Sequence, residues 1–154
     1  MINDAQGFLW IGSDHGAHKY DGYYFTIYKY IQNDSTSLLN ESIMDLFKDS
    51  KGNLWLATKI GFNKWILETE SFERYYLDSN NTGKTDINFV NDINEDNKSK
   101  LWICSQGSGL TVFNLQSKEM MHYKFDAFDS NSISNDTTLF TYMADDNQLF
   151  KGSR

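Results

Sequence analysis

The chain has 154 residues, a net charge of −7 and 14 basic residues of which only Arg74 and Arg154 are arginine, a balance that argues against a surface for nucleic-acid phosphates. Apolar residues make up 40% and aromatics 16%, enough for a real core and too much for a disordered chain. The lone Cys104 excludes an intrachain disulfide, and no apolar run approaches the ~18–20 residues of a membrane span.

In chain order, Met1 drops directly into a turn phrase, Asp4-Ala5-Gln6-Gly7, followed by Phe8-Leu9-Trp10-Ile11. No signal peptide precedes it, so any export signal or membrane anchor is expected outside these residues. Short apolar runs bounded by turn residues predict strands at Leu9–Gly12, Ala17–Tyr20 and Phe25–Tyr28, with the opening strand of this first unit missing. A polar linker from Gln32 to Asn40 leads to a four-strand unit at Ile43–Phe47, Leu54–Thr58, Phe62–Ile66 and Phe72–Tyr76. A second linker, Asp78 to Asp86, leads to another at Phe89–Ile93, Leu101–Cys104, Leu110–Phe113 and Met120–Tyr123. After a third linker, Asp126 to Asn135, a decayed phrase Asp146-Asn147-Gln148-Leu149-Phe150 begins a further unit. There is no proline; asparagine and serine take the turn positions, as at Asn80–Gly83 and Asp129–Ser132.

The turn phrase recurs as Asp49…Gly52…Trp55 and Asp96…Ser99…Trp102, with the tryptophans 45 and 47 residues apart. A period in the forties with strand content is the signature of a β-propeller blade. The predicted fold is all-β: a partial β-propeller of about three four-stranded antiparallel blades plus part of a fourth. The repeats run approximately over 1–36, 37–84, 85–131 and 132–154. Asp4, Asp49 and Asp96 can accept backbone amides within the turn, and Gly7 and Gly52 supply a positive φ. Ser99 at the glycine position is expected to cost stability. The Leu-Trp-Ile/Leu run is apolar on both faces, as a strand sandwiched between blades requires. Glycine also precedes each third strand, as Gly16, Gly61 and Gly109. Cys104, inside such a run, reads as a small buried hydrophobe.

The chemistry-bearing residues mostly have structural duties. Asp92-x-Asn94-x-Asp96 starts like a calcium loop, but Asn97 replaces the required glycine and Ile103 the closing glutamate. His15, His18 and His122 show no shared ligand spacing, so no metal, cofactor or catalytic residue is assigned. The Asp-x-x-Gly-x-x-Trp turn is similar to the Asp-box of sialidase propellers, which need three arginines to clamp their substrate. Connectivity places the loop after each Trp strand on the same face as the inter-blade linkers. This nominates Asp14, His15, Lys59, Gln106 and Ser108 as ligand-rim candidates.

The phrases Gly7–Ser13, Tyr20–Phe25, Gly52–Thr58 and Ser37–Asn40 resemble the two-component regulator propeller repeat, over essentially the whole chain. The first copy resembles the N-terminal blade, where Tyr20-Asp21-Gly22-Tyr23 matches a usual phrase. His15, Ala17, His18 and Cys104 depart from the usual residues. The resemblance implies the sensor region of a hybrid two-component system in glycan-degrading gut bacteria. In that family two propellers of roughly seven blades and an immunoglobulin-like domain stand outside the inner membrane, with kinase, receiver and DNA-binding domains inside.

The expected function is therefore a fragment of a periplasmic ligand-sensing propeller, part of a membrane-anchored parent, that senses glycan breakdown products and is not an enzyme. The alternatives are a protein-interaction or assembly propeller and a glycan-active enzyme fragment. Expected partners are a possible oligosaccharide and either a second copy completing a ring-like body or the missing remainder of the parent propeller. Neither nucleic acid nor direct membrane contact is expected. The open ends of the blade row are expected to be lined by residues such as Trp10, Leu56 and Leu101.

Overall fold

The computed structural model describes residues 1–77, 89–144 and 149–153. The Asn80–Gly83 turn, the Asp78–Asp86 linker and the start of the fourth phrase lie outside the described residues. Alternating and doubly apolar runs form strands only, among the described residues. The first sheet holds β1 (Ile2–Asn3), β2 (Leu9–Ser13), β3 (Gly16–Tyr20) and β4 (Phe25–Tyr28). The second holds β5 (Ile43–Lys48), β6 (Leu54–Thr58), β7 (Gly61–Ile66) and β8 (Ser71–Tyr75). The third holds β9 (Phe89–Glu95), β10 (Lys100–Gln106), β11 (Leu110–Asn114) and β12 (Met120–Tyr123). A two-stranded piece, β13 (Thr138–Met143) and β14 (Leu149–Ser153), begins the fourth. All neighbours are antiparallel and in sequence order, and β2, β6 and β10 lie against β5, β9 and β13 of the following sheet. The result is an open row of propeller blades.

One expectation is corrected. The first blade has its opening strand, β1, with Ile2 opposite Trp10 and Asn3 opposite Leu9. Two residues are too few to show an alternating pattern, and the pairing is set instead by the Asp4 turn that follows.

Each turn phrase is built the same way. Oδ1 of Asp49 accepts the amides of Lys51 (3.0 Å) and Asn53 (2.8 Å), while Oδ2 accepts the indole N–H of Trp55 at 2.9 Å. Asp4 and Asp96 repeat this with Trp10 at 2.8 Å and Trp102 at 3.0 Å. The aspartate thus closes the turn with one oxygen and satisfies a tryptophan donor with the other, which allows the ring to be buried without an orphaned N–H. Ser99 takes φ 57°, the left-handed region in which a side chain is strained. Before the third strand the need for glycine is steric: a Cβ on Gly61 would overlap the Tyr75 carbonyl oxygen, and Gly16 and Gly109 meet Tyr28 and Tyr123 likewise.

The blades pack with a fixed polarity. Trp10 and Ala17 of the first blade face Leu54, Leu56, Trp65 and Phe72 of the second. Trp55, Ala57 and Phe62 of the second face Leu101, Ile103 and Phe113 of the third. The turn-phrase tryptophans Trp10 and Trp55 look forward along the row, whereas Trp65 and the Leu54/Leu56 and Leu101/Ile103 pairs look back. Trp10, Leu56 and Leu101 are consequently fully buried and do not line the open ends. Those ends carry Phe25 and Ile27 on the first blade and Met121 and Tyr123 on the third, all exposed. Cys104 shares its place with Gly12 and Ala57, where the innermost strand crosses closely. It is buried, and burial pushes its thiol up to about 11.

Candidate functional site

The loops after β2, β6 and β10 are closed by a hydroxyl at the strand end. Thr58 Oγ1 donates to Gly61 O at 2.8 Å, Ser105 Oγ to Gly109 O at 2.9 Å, and Ser13 Oγ to Gly16 O at 3.2 Å. The first and third of these loops are tied to the following linkers: the Gly16 amide donates to Glu41 O at 2.9 Å, and the Gly107 and Gly109 amides to Asp136 O at 3.1 and 2.8 Å. The rim is therefore a fixed backbone platform. Asp14, His15 and Gln106 are exposed on it and Lys59 is half-buried. Ser108 is buried. None of the five lines the larger cavities, and each sits on the loop of its own blade.

The linkers are locked down by side chains that the sequence reading passed over. Arg74 Nε donates to Ser37 O at 2.7 Å and its Nη2 to Asp34 O, Ser37 Oγ and Leu38 O at 2.6, 2.7 and 2.9 Å. Buried Asn63 accepts the Leu39 amide at 3.0 Å. The recurring Asp-x-x-Ser phrase has a mechanism as well: Ser37 Oγ accepts the Ile31 amide at 2.8 Å and Ser132 Oγ the Asp126 amide at 3.0 Å.

At the inner edge, β5, β9 and β13 each carry a bulge, at Met44, Asn91 and Leu139. The bulge re-aims the next carboxylate across the blade gap. Asp45 Oδ2 accepts the Ile93 amide at 3.1 Å, and Asp92 Oδ2 the Thr141 amide at 2.8 Å. Burial raises both carboxyls above the ordinary value of 3.8. Asn91 and Asn94 donate to Thr138 O at 2.7 Å and Thr141 O at 2.9 Å. Asp92 and Asn94 thus join blades. The 47-residue step from Asp45 to Asp92 equals the step from Trp55 to Trp102, a signal present in the sequence.

The histidines stay apart. His18 Nε2 lies 3.0 Å from Ser13 Oγ, His122 Nδ1 lies 2.9 Å from Thr111 Oγ1, and His15 is exposed. Burial pushes His122 below the ordinary imidazole value. Among the described residues no group of acidic, histidine and cysteine side chains has metal-ligand geometry, and no helix is long and apolar enough to cross a membrane. What the rim offers is hydrogen bonding and shape.

The sequence profile of the family "Two component regulator propeller" matches residues 37–59, the second linker-and-turn phrase. No curated protein matches the chain in sequence. Among solved structures, the extracellular domain assigned to a hybrid two-component system of B. thetaiotaomicron is similar over 99% of this chain, at 25% identity and TM-score 0.82. A second such domain from the same organism aligns over 99% at 23% identity and TM-score 0.74, a likeness of fold. Virginiamycin B lyase of Staphylococcus aureus shares the fold at 14% identity and TM-score 0.67. The chain spans 21% and 18% of the two extracellular domains and 47% of the lyase. Residues 37–59 therefore carry a two-component regulator propeller repeat, set in a row of blades similar to those of the extracellular domains of hybrid two-component systems.

Proposed function

We propose that this chain forms part of the periplasmic, ligand-sensing propeller of a hybrid two-component system, and that it recognises oligosaccharides released from glycans without changing them. The observation that carries the reading is the full-length likeness to an extracellular domain of such a system at 25% identity. The rigid rim supports it. Strand-end hydroxyls fix carbonyls of the 13–16, 58–61 and 105–109 loops, and linker bonds fix amides of the first and third, which is the preorganisation a binding face needs. The polar, exposed Asp14, His15 and Gln106 supply donors and acceptors suited to sugar hydroxyls.

The test is amide chemical-shift mapping with a panel of oligosaccharides from plant and host glycans. Shifts confined to the three loops are expected for at least one sugar, and should be lost in the His15→Ala, Gln106→Ala double variant. The sugar recovered afterwards should have unchanged mass. No shift at these loops with any sugar, or a shortened product, contradicts the reading.

A further inference from the structure

The three rim loops are closed alike, yet the third departs from the repeat. Between the strand-end hydroxyl and the carbonyl it bonds, the first two run from Ser13 to Gly16 and from Thr58 to Gly61. The third runs from Ser105 to Gly109 and is one residue longer. The added length brings in Gly107 at φ 91°, a conformation that a side chain would strain. Exposed Gln106 therefore stands beside a position with no side chain of its own. A longer, glycine-bearing loop loses more conformational freedom when ordered, so its shape needs outside support.

That support comes from the residues leading into β13. Asp136 O accepts two amides, of Gly107 and Gly109, where Glu41 O in the first linker accepts the single Gly16 amide. Asp136 Oδ1 accepts the Phe125 amide at 2.7 Å, which pins the two ends of the third linker together. Gln106 pairs with Thr137 in an isolated antiparallel bridge. Thr138 follows, fully buried: its Oγ1 accepts the Ser105 amide at 2.9 Å and donates to Gly109 O at 2.7 Å. The Ser105 amide shares itself with Gly109 O at 3.2 Å, and Ser105 Oγ donates to the same carbonyl at 2.9 Å. Both ends of the loop thus meet at one hydroxyl.

Thr138 is itself a departure from the repeat. It lies opposite Ser153 as Ile43 lies opposite Thr58 and Val90 opposite Ser105. The position is buried each time, and in the second blade it abuts the preceding blade so closely that a Cβ on Gly12 would overlap Ile43. Packing alone would be served by another β-branched hydrocarbon. A buried hydroxyl costs free energy unless it is bonded, and here its two short bonds go to the two ends of the third rim loop.

We infer that the 105–109 loop is the specificity-determining loop of the rim and that Thr138 is its positioning residue, setting where the Gln106 side chain meets an oligosaccharide. The inference rests on the ligand-sensing role proposed for the rim. The Gln106 amide group offers two donor hydrogens and an acceptor oxygen, and its fit to sugar hydroxyls depends on the loop being held to within roughly 0.5 Å. A methyl group in the place of Thr138 Oγ1 keeps roughly 3.5 Å from its neighbours. It would therefore displace an amide nitrogen now at 2.9 Å and a carbonyl oxygen now at 2.7 Å. Thr138→Val moves the loop while keeping the branched, buried shape that Ile43 and Val90 show to suit the blade.

The test compares the parent chain with Thr138→Val, Thr138→Ser and Thr141→Val, first by amide exchange without sugar and then by titration with the plant and host oligosaccharide panel. Thr141 is the control, a buried hydroxyl of the same strand that meets Asp92 at 3.3 Å rather than the loop. Without sugar, the Ser105 and Gly109 amides should exchange about fivefold faster in Thr138→Val and at the parent rate in the other two. For a sugar that binds the parent, Thr138→Val should weaken binding about fivefold, the worth of one hydrogen bond, and Thr138→Ser should restore it. Four results overturn the inference and leave the proposed function standing: unchanged exchange in Thr138→Val, unchanged affinity, no recovery in Thr138→Ser, or an equal loss in Thr141→Val. A panel without effect on the parent chain contradicts the proposed function, and the inference falls with it.

Discussion

At the scale of single residues, the aspartate of the turn phrase decides whether a tryptophan can be buried at all. Its carboxylate serves two turn amides and one indole, and at Asp49 the Asn53 side-chain amide as well; without it these donors lose their acceptor. The cost depends on whether water can replace it. Around Trp55, fully buried, Asp49→Ala should destabilise the chain by about 3 kcal/mol. Around the partly exposed Trp102, Asp96→Ala should cost about 1 kcal/mol, because solvent reaches the abandoned donors. Urea denaturation of the two variants checks the ordering, and equal losses would contradict it. The turn role of these aspartates was legible from their spacing to glycine. The bond to the tryptophan six residues on was not, since it depends on how the strand leaves the turn.

At the scale of elements, most strands of the second and third blades could be read because their apolar runs are bounded by turn chemistry. Leu54–Thr58 and Met120–Tyr123 fall where the pattern puts them. β1 escaped because two residues carry no period, and the Arg74 clamp because it joins residues 34–38 to β8 across sequence. The rim loops were placed by connectivity alone, yet the burial of Ser108 depends on packing that connectivity does not specify. The bulged inner strands carry a pH signature. Burial keeps Asp45 above the ordinary carboxylate value of 3.8, aided by the nearby Asp92 and opposed by the Ile93 amide. A carboxyl raised in the folded state binds its proton more tightly there than in the unfolded chain. Its contribution to stability is then complete below about pH 3.8 and is lost as pH rises through the raised value. Asp45→Asn keeps an acceptor for the Ile93 amide and removes the charge. Its midpoint of thermal unfolding should match the parent's near pH 3.5 and exceed it increasingly toward pH 7. Parallel curves would contradict the assignment.

At the scale of the whole molecule, the row of blades is held by interfaces of one polarity, with the turn-phrase tryptophans Trp10 and Trp55 forward and Leu/Ile pairs back. The second blade is covered on both faces, the first on one, and the third on one face and, along β9 and β10, by β13 on the other; the fourth is represented by two strands. Stability should follow this order, because local opening is governed by buried apolar contact. Charged links across the gaps, such as Lys19–Glu70 at 3.2 Å, half in solvent, add little beside it. Hydrogen–deuterium exchange on the intact chain, resolved to single strands, measures the order directly. The account predicts slowest exchange in β6 and β7, intermediate exchange in β2, β10 and β11, and fastest exchange in the outer strand β4 and in β13–β14. Exchange in β6 as fast as in β14, or slowest exchange in the terminal pieces, would contradict a structure built from forward-facing blade contacts.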